Sequence, residues 1–221
     1  MINAPELEAY HVDELVVILG GDIIDGELIF PGQAFETTSG VYDQMKIATK
    51  IIWTALTQLA TKFPVIRVYC VPGNHGRTSK LHAQMSNWDN ALYFGLQLIS
   101  SFQTELNIEV HTPHQMWMDF NVRDWRVHAR HIGVTQAQTA GPAKRVMTWM
   151  NNHNADLLFY GHYHCPELYS MGHKRIFKNG ALPPMNEFAE RLGFIDGGGQ
   201  WLVGVTDDSN CAFAKILIPE G

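Results

Sequence analysis

Four short motifs of this 221-residue chain combine residue types that bind metals, and each follows or closes a strand-like run. Aspartate, asparagine and histidine together suit a first-row divalent metal such as manganese, iron or zinc. Open α/β sheets place their ligands at the carboxyl ends of their strands. The sequence therefore predicts metal chemistry at strand ends. In chain order the motifs are Gly-Asp at 21–22, VPGNHGR at 71–77, WRVHARHIG at 125–133 and LLFYGHYH at 157–164.

The first motif stands at the end of the apolar run Leu15–Leu19. A short apolar run that ends in glycines predicts a strand buried on both faces. Gly20 and Gly21 let the backbone turn sharply after this strand. Asp22 comes next, at the carboxyl end of the strand, where a carboxylate is either a metal ligand or a group that caps the loop.

Hydrophobic periodicity predicts the elements that position these motifs. Apolar residues recur every three or four positions from Ser39 to Phe63, which predicts a helix capped by Ser39. Strands at Leu15–Leu19 and Val65–Val71 flank this helix, which predicts parallel pairing. Further helices are predicted at 87–102 and 142–151, a hairpin at 115–122 and 125–130, and strands at 108–110, 156–160, 168–171, 174–178, 200–205 and 212–218. The predicted fold class is therefore α/β.

The ordered motifs Gly-Asp, Gly-Asn-His, His and Gly-His-x-His resemble the calcineurin-like metallophosphoesterases, from about Glu14 to Gln200. More narrowly, they resemble the phage-encoded and DNA-repair-exonuclease-like members, which often carry GNHGR. The resemblance implies a four-layer sandwich of two mixed β-sheets flanked by helices. It also implies that residues 1–221 form a single metallophosphoesterase domain.

The same resemblance implies a dinuclear metal centre and sorts its ligands. Asp22 corresponds to the aspartate that bridges the two metals. One metal would then take Asn74, His131 and His162 besides Asp22. The other would take His164, Asp22 and two ligands from an Asp-x-His motif. Manganese is the metal expected first, with iron and zinc as alternatives.

The Asp-x-His motif of the family, which normally ends an earlier strand, is not found ahead of Asp22. His11 and Asp13 occur there in the reverse order and before the wrong element. We therefore expect an N-terminally incomplete domain whose first strand is missing or comes from an upstream segment or a partner chain. On this reading, the chain binds one metal firmly and a second weakly or not at all.

Two further residues of the VPGNHGR motif are candidates for catalysis. The resemblance places His75 opposite the scissile phosphate, where it protonates the leaving oxygen or stabilises the transition state. Arg77 is either a phosphate clamp or a solvated loop arginine. Asp25 either orients a ligand or caps a turn, and the turn is slightly favoured.

The third motif leaves a choice of ligand between His128 and His131. Family members often show His-His-Ile-Gly at this strand end, and ARHIG aligns with it so that His131 is preferred. The remaining histidines lie outside the motifs and are expected to be surface or hydrogen-bonded residues. They are His11, His82, His111, His114, His153 and His173.

The composition of the chain limits the kinds of molecule that it is expected to bind. The formal net charge of −6 argues against a broad basic surface for nucleic acid. It leaves room for a local basic groove near Arg77, Lys80, Arg123, Arg126 and Arg130. No apolar run approaches the ~20 residues of a membrane helix, and the start does not resemble a signal peptide. The sparse cysteines, Cys70, Cys165 and Cys211, suggest a reducing compartment, and the cytoplasm is expected.

Together these features predict a metal-dependent phosphoester hydrolase. The first reading is a phosphodiesterase or nuclease that acts on nucleic acid or nucleotides. The alternatives are a phosphatase for a small phosphoester or phosphoprotein, and a catalytically inactive binding module with the same fold. An unrelated α/β protein whose loops happen to contain these residues would need four ordered coincidences at strand ends.

Overall fold

The computed structural model describes residues 10–27, 29, 33, 37–79, 86–132, 142–182, 198–207 and 211–217. The chain divides into two compact units, Met1–Met116 and Trp117–Gly221. The prediction of a single domain therefore stays a prediction. Of the residues singled out in the sequence, Lys80, His82 and Gly133 lie outside the described residues.

The first unit contains a parallel sheet with two helices. Its elements are β1 (Leu15–Leu19), α1 (Val41–Ala60), β2 (Ile66–Cys70), α2 (Trp88–Phe102) and β3 (Ile108–His111). The strand order is β1-β2-β3, and both pairings are parallel. The predicted strand–helix–strand unit with parallel pairing is therefore confirmed.

The core of this unit forms between β2 and the helices. Along β2 the side chains of Ile66, Val68 and Cys70 are buried and alternate with half-buried neighbours, as the period of a strand requires. Leu92 and Leu96, four residues apart on α2, belong to the same core cluster. Cys70 is fully buried and serves as a small apolar residue of this core.

The first strand is less buried than its sequence predicts. All five residues of β1 are half-buried rather than enclosed on both faces. Within the described residues β1 pairs only with β2, so it lies at the edge of this sheet. A strand at an edge has a neighbour on one side only, and its apolar side chains are therefore covered incompletely.

The start of α1 differs from the predicted cap. The helix begins at Val41, and its N-cap residue is Gly40 rather than Ser39. The Val41 N–H donates instead to Oε1 of Glu27, at 2.7 Å. A carboxylate from the preceding loop thus satisfies a helix N–H that has no partner inside the helix and places negative charge at the helix N-terminus.

The second unit contains a mixed sheet and an antiparallel pair of strands. Its elements are β4 (Trp117–Val122), β5 (Trp125–His131), α3 (Pro142–Asn152), β6 (Leu157–Gly161), β7 (Glu167–Met171), β8 (Lys174–Lys178), β9 (Gln200–Val205) and β10 (Cys211–Leu217). The larger sheet has the order β4-β5-β6-β8-β7, and β9 pairs with β10. The hairpin predicted between β4 and β5 is confirmed as an antiparallel pair that turns at Arg123, where φ is 52°.

Strands β5 and β6 form the centre of the mixed sheet and run parallel. Their inner residues are fully enclosed, as Ala129 and Leu158 show, and Val146 and Met150 of α3 are buried as well. Both units therefore combine sheets with helices, and the predicted α/β class is confirmed. No helix within the described ranges is both long enough and apolar enough to cross a bilayer.

Candidate metal and catalytic site

The loops after β1 and β2 meet, because parallel neighbours end at the same edge of a sheet. Asp22 follows β1 and Asn74 follows β2. The Asp22 Oδ1 atom accepts the backbone N–H of His75 at 2.8 Å, and the Asn74 side chain is buried, with 2% of the residue exposed. The structure thus brings together the residues of the first two motifs, which are 53 positions apart in the sequence.

A buried carboxylate that the sequence did not single out holds these two loops. Asp89 is fully buried. Its Oδ2 atom accepts the N–H of Asp22 at 3.0 Å and that of Gly73 at 2.8 Å. Its Oδ1 atom accepts the N–H of Ile24 at 2.9 Å. One side chain therefore satisfies three backbone donors from both ligand-bearing loops.

The first turn of α2 fixes Asp89 in this position. Asn87, the N-cap residue, accepts the Asp89 N–H through Oδ1 at 2.9 Å. Its Nδ2 atom donates to the Gly73 carbonyl at 2.8 Å. One turn further along the helix, the Tyr93 hydroxyl donates to the Val71 carbonyl at 2.9 Å. Burial, then the Asp89 charge, raises the pKa of Tyr93 well above its ordinary value, so the hydroxyl stays a donor.

The close approach of the two loops depends on Gly73. A Cβ at this position would lie 2.0 Å from Asp22 Oδ1 and 2.1 Å from the Asp22 nitrogen. We expect Gly73→Ala to push the loops apart, to reduce divalent-metal affinity and to lower the free energy of unfolding by about 2 kcal/mol, the scale of overpacking. Isothermal titration with Mn²⁺ and urea unfolding measure the two effects.

Gly95→Ala is the matched control for this substitution. Gly95 lies inside α2, and nothing comes within 4 Å of a Cβ built on it. Because alanine favours a helix interior over glycine by about 1 kcal/mol, this variant should be neutral or slightly more stable. Equal metal affinity in Gly73→Ala and Gly95→Ala would contradict the role given to the loop approach.

His75 and Asp25 form a side-chain pair next to Asp22. The His75 Nδ1 atom lies 2.6 Å from Asp25 Oδ1, and 23% of the His75 side chain is exposed. The sequence favoured a turn-capping role for Asp25, whereas its carboxylate is bonded to the imidazole. A carboxylate on Nδ1 fixes the ring orientation and directs Nε2 to the opposite side.

Arg77 is tied through its backbone to the start of α2. Its backbone forms an isolated antiparallel bridge with Asn87, the residue that caps α2. Arg77 is half-buried, so a fully solvated loop arginine does not describe it. Its role as a phosphate clamp stays a prediction.

In the second unit, His131 and His162 lie side by side. His131 ends β5, and its register partner on β6 is Gly161, the residue before His162. The two ring centroids are 5.4 Å apart and the rings are nearly perpendicular. His131 is buried, whereas His162 is partly exposed. Parallel pairing of β5 and β6 thus brings the third and fourth motifs together.

His128, the alternative ligand, points elsewhere. Residues three apart on a strand face opposite sides of a sheet, so His128 and His131 diverge. The His128 Nδ1 atom lies 2.7 Å from Asp119 Oδ1 instead. The geometry therefore favours His131 as the partner of His162, and its role as a metal ligand stays a prediction.

Positive φ angles mark three of the five predicted metal ligands. Asp22 has φ of 55°, His162 of 107° and His164 of 59°. Such angles are uncommon outside glycine and cost roughly 1–3 kcal/mol each unless the surroundings impose them. The other two non-glycine residues with positive φ among those described are Arg123 in the hairpin turn and Asn154 after α3. Backbone strain is therefore concentrated at the motifs that predict metal binding.

Each unit, taken by itself, contains predicted ligands of types that bind divalent transition metals. The first unit offers a carboxylate from Asp22 and an amide from Asn74, and the second offers imidazoles from His131, His162 and His164. Oxygen and imidazole donors without thiolates suit manganese, iron or zinc. The identity of the metal stays a prediction.

Comparison with known proteins supports the same reading. A family model described as calcineurin-like phosphoesterase matches residues 5–166, which is most of the chain and includes the four motifs. No curated protein matches the sequence.

The solved structures that match the chain share little sequence with it. Wild-type Vps29 from Entamoeba histolytica in complex with Zn²⁺ is 14% identical, with a TM-score of 0.45, over 92% of this chain and 97% of that one. A predicted phosphoesterase from Streptococcus pneumoniae is 10% identical, with a TM-score of 0.41, over 92% and 95%. A hypothetical protein from Pyrococcus horikoshii is 12% identical, with a TM-score of 0.42, over 97% and 78%.

Proposed function

Because the chain belongs to the calcineurin-like phosphoesterase family, we propose that it is a metal-dependent phosphodiesterase that acts on nucleic acid or nucleotides. The motif order and the GNHGR sequence at 73–77, which resemble the phage-encoded and repair-exonuclease-like branch, support this substrate class. The net charge of −6 favours a short or nucleotide-sized substrate over a long nucleic-acid track.

The proposed metal ligands are Asp22, Asn74, His131, His162 and His164. When bound, a pair of divalent metals supplies a nucleophile at neutral pH and neutralises charge that develops on the phosphoryl oxygens. The chain's own part is to orient the donors. The His75 N–H does this for Asp22, since it donates to one carboxylate oxygen at 2.8 Å.

The pairing of His75 with Asp25 is the observation that carries a catalytic role. Their 2.6 Å contact occupies Nδ1 on one edge of the imidazole and leaves Nε2 as the ring atom that can donate a proton to a substrate. A leaving alkoxide needs that proton as the P–O bond breaks. We therefore assign His75 as the general acid for the leaving group and Asp25 as its positioning residue.

Arg77 is the proposed phosphate clamp. A guanidinium binds two phosphate oxygens at once, which fixes the substrate and offsets its charge. The backbone bridge to Asn87 ties Arg77 to the same helix start that holds Asp89. The distance between Arg77 and the loops that carry Asp22 and Asn74 would therefore stay constant.

Three substrates separate the proposed activity from its alternatives. With added Mn²⁺, we expect turnover of bis(p-nitrophenyl) phosphate and of single-stranded DNA or dinucleotides, and slower turnover of p-nitrophenyl phosphate. Faster hydrolysis of p-nitrophenyl phosphate would indicate a phosphatase. Absence of turnover on all of them, with metal bound, would indicate a binding module and contradict the proposal. Parallel assays with Fe²⁺ and Zn²⁺ identify the metal.

A further inference from the structure

A second cluster of metal-binding side chains lies in the mixed sheet of the second unit. Asp119, His128 and His153 each offer one ligand atom, and these atoms all lie within 4.8 Å of one another. The three residues come from β4, β5 and the turn after α3. We propose that they form a separate site for a divalent cation of the zinc class.

The hydrogen-bond geometry converges on one carboxylate. Asp119 Oδ1 lies 2.7 Å from Nδ1 of His128, and Oδ2 lies 2.8 Å from Nδ1 of His153. The two imidazole centroids are 4.0 Å apart and the rings are tilted by 32°. Around a zinc ion with metal–ligand bonds of about 2.0–2.1 Å, neighbouring ligand atoms lie only slightly farther apart than the hydrogen-bonded atoms of this cluster. An ion can therefore enter with small side-chain movements.

The backbone holds two of the ligands in place. Asp119 and His128 are directly opposite in the antiparallel register of β4 and β5, so their side chains share one face. The His153 N–H donates to the Trp149 carbonyl at 2.9 Å, which continues the helical hydrogen bonds of α3 by one residue and holds the backbone of the third ligand. The cluster is thus built before any ion arrives.

The site is separate from the ligands of the proposed phosphoesterase centre. His128 and His131 are three residues apart on β5 and face opposite sides of the sheet. His131 lies against His162, whereas His128 lies against Asp119 and His153. The two sets therefore share no ligand.

The protonation states and the solvent exposure of the three side chains also suit a bound cation. Burial lowers the pKa of His128 to about 4, so its ring is neutral at pH 7. Partial burial opposes the charged form of Asp119, but the hydrogen bonds of His128 and His153 outweigh it and lower the pKa of the carboxyl. His128 is fully enclosed, whereas Asp119 and His153 are partly exposed. One side of the cluster is therefore open for an ion and a water ligand.

Two features limit the affinity. A cation bound through Nδ1 leaves the His128 proton on Nε2, which is buried and has no hydrogen-bond partner among the described residues. Arg130 lies on the same face, with its guanidinium 3.5 Å from the centroid of the Trp149 ring, and its charge opposes a nearby cation. We expect each feature to weaken binding about tenfold relative to a site without it.

Metal analysis on single variants tests the site. After removal of metals with a chelator, the wild-type chain should bind one more equivalent of Zn²⁺ than His153→Ala or Asp119→Asn. The same equivalent should remain in Asp22→Ala, which removes a ligand of the proposed catalytic centre. The outcome therefore does not depend on phosphoesterase activity. His173→Ala is the matched control, because His173 is an exposed histidine paired with Asp156 at 3.7 Å.

Two other readouts separate metal binding from a structural role. Saturating Zn²⁺ should raise the Tm of Asp22→Ala but not that of Asp22→Ala combined with His153→Ala. Crystals soaked in Zn²⁺ should show an anomalous peak at the zinc edge between Asp119, His128 and His153. Wild-type stoichiometry in both His153→Ala and Asp119→Asn, or a map without that peak, would overturn the proposal and leave a hydrogen-bonded His-Asp-His cluster.

Discussion

His75→Ala should lower the turnover of a phosphodiester by roughly a hundredfold or more, the usual scale for a general acid. The imidazole is the proposed proton donor for the leaving oxygen, and Asp25 fixes its Nδ1 side at 2.6 Å. The metal content should not change, because His75 is not a proposed ligand. Steady-state kinetics on bis(p-nitrophenyl) phosphate and metal analysis of the same sample measure the two effects.

His11→Ala serves as the matched control for this substitution. His11 also pairs with an aspartate, Asp13, at 3.0 Å, but 92% of its side chain is exposed and it lies outside the motifs. Its removal should leave turnover unchanged. Loss of metal in His75→Ala would show that the residue is a ligand, and unchanged turnover would remove it from the mechanism.

Asp89→Asn should destabilise the first unit and weaken metal binding. The carboxylate accepts three buried backbone N–H groups, from Asp22, Ile24 and Gly73. An amide keeps one acceptor oxygen and turns an NH₂ group toward the remaining donors. Because each buried donor left without a partner costs about 1–3 kcal/mol, we expect the free energy of unfolding to fall by about 2–4 kcal/mol. Urea unfolding of the metal-free protein measures this change.

Asp43→Asn is the control for charge removal at a helix start. Asp43 also lies in the first turn of a helix, α1, but its carboxylate is exposed and forms an ion pair with Lys46 at 3.3 Å. We expect a change within about 0.5 kcal/mol, as for other surface substitutions. A similar small loss in Asp89→Asn would mean that the two ligand loops hold their positions without the carboxylate.

The sequence alone predicted most of the helices and strands and gave the order of the motifs along the chain. The periodicity of apolar residues predicted α2 at 87–102 and α3 at 142–151, within one residue of the helices found. Hairpin and parallel connections followed from short and long spacers. These properties are local, because the spacing of apolar residues and the identity of turn residues can be read from a few neighbouring positions. The motif order at strand ends is likewise a linear pattern and indicated the family.

Contacts between distant positions could be decided only by the tertiary structure. Asp89 looks like an ordinary acidic residue near a helix start, and nothing in its neighbours reveals that it binds loops 16 and 67 residues away. Asp25 likewise meets His75 across 50 positions. A motif of glycines and histidines can be recognised from the residue types alone. A buried structural carboxylate can be recognised only from the hydrogen-bond donors that surround it in the folded chain.

The tertiary structure also decided how deeply β1 is buried and which side of the sheet each histidine of β5 faces. Five apolar residues predicted a fully enclosed β1, but the number of neighbouring strands sets enclosure, and β1 pairs only with β2 among the described residues. In WRVHARHIG the two histidines differ little in local sequence. The sheet separates them, because residues three apart on a strand face opposite sides. His131 therefore meets His162, and His128 meets Asp119 and His153, a grouping that only the pairing of β4 with β5 and the end of α3 could assemble.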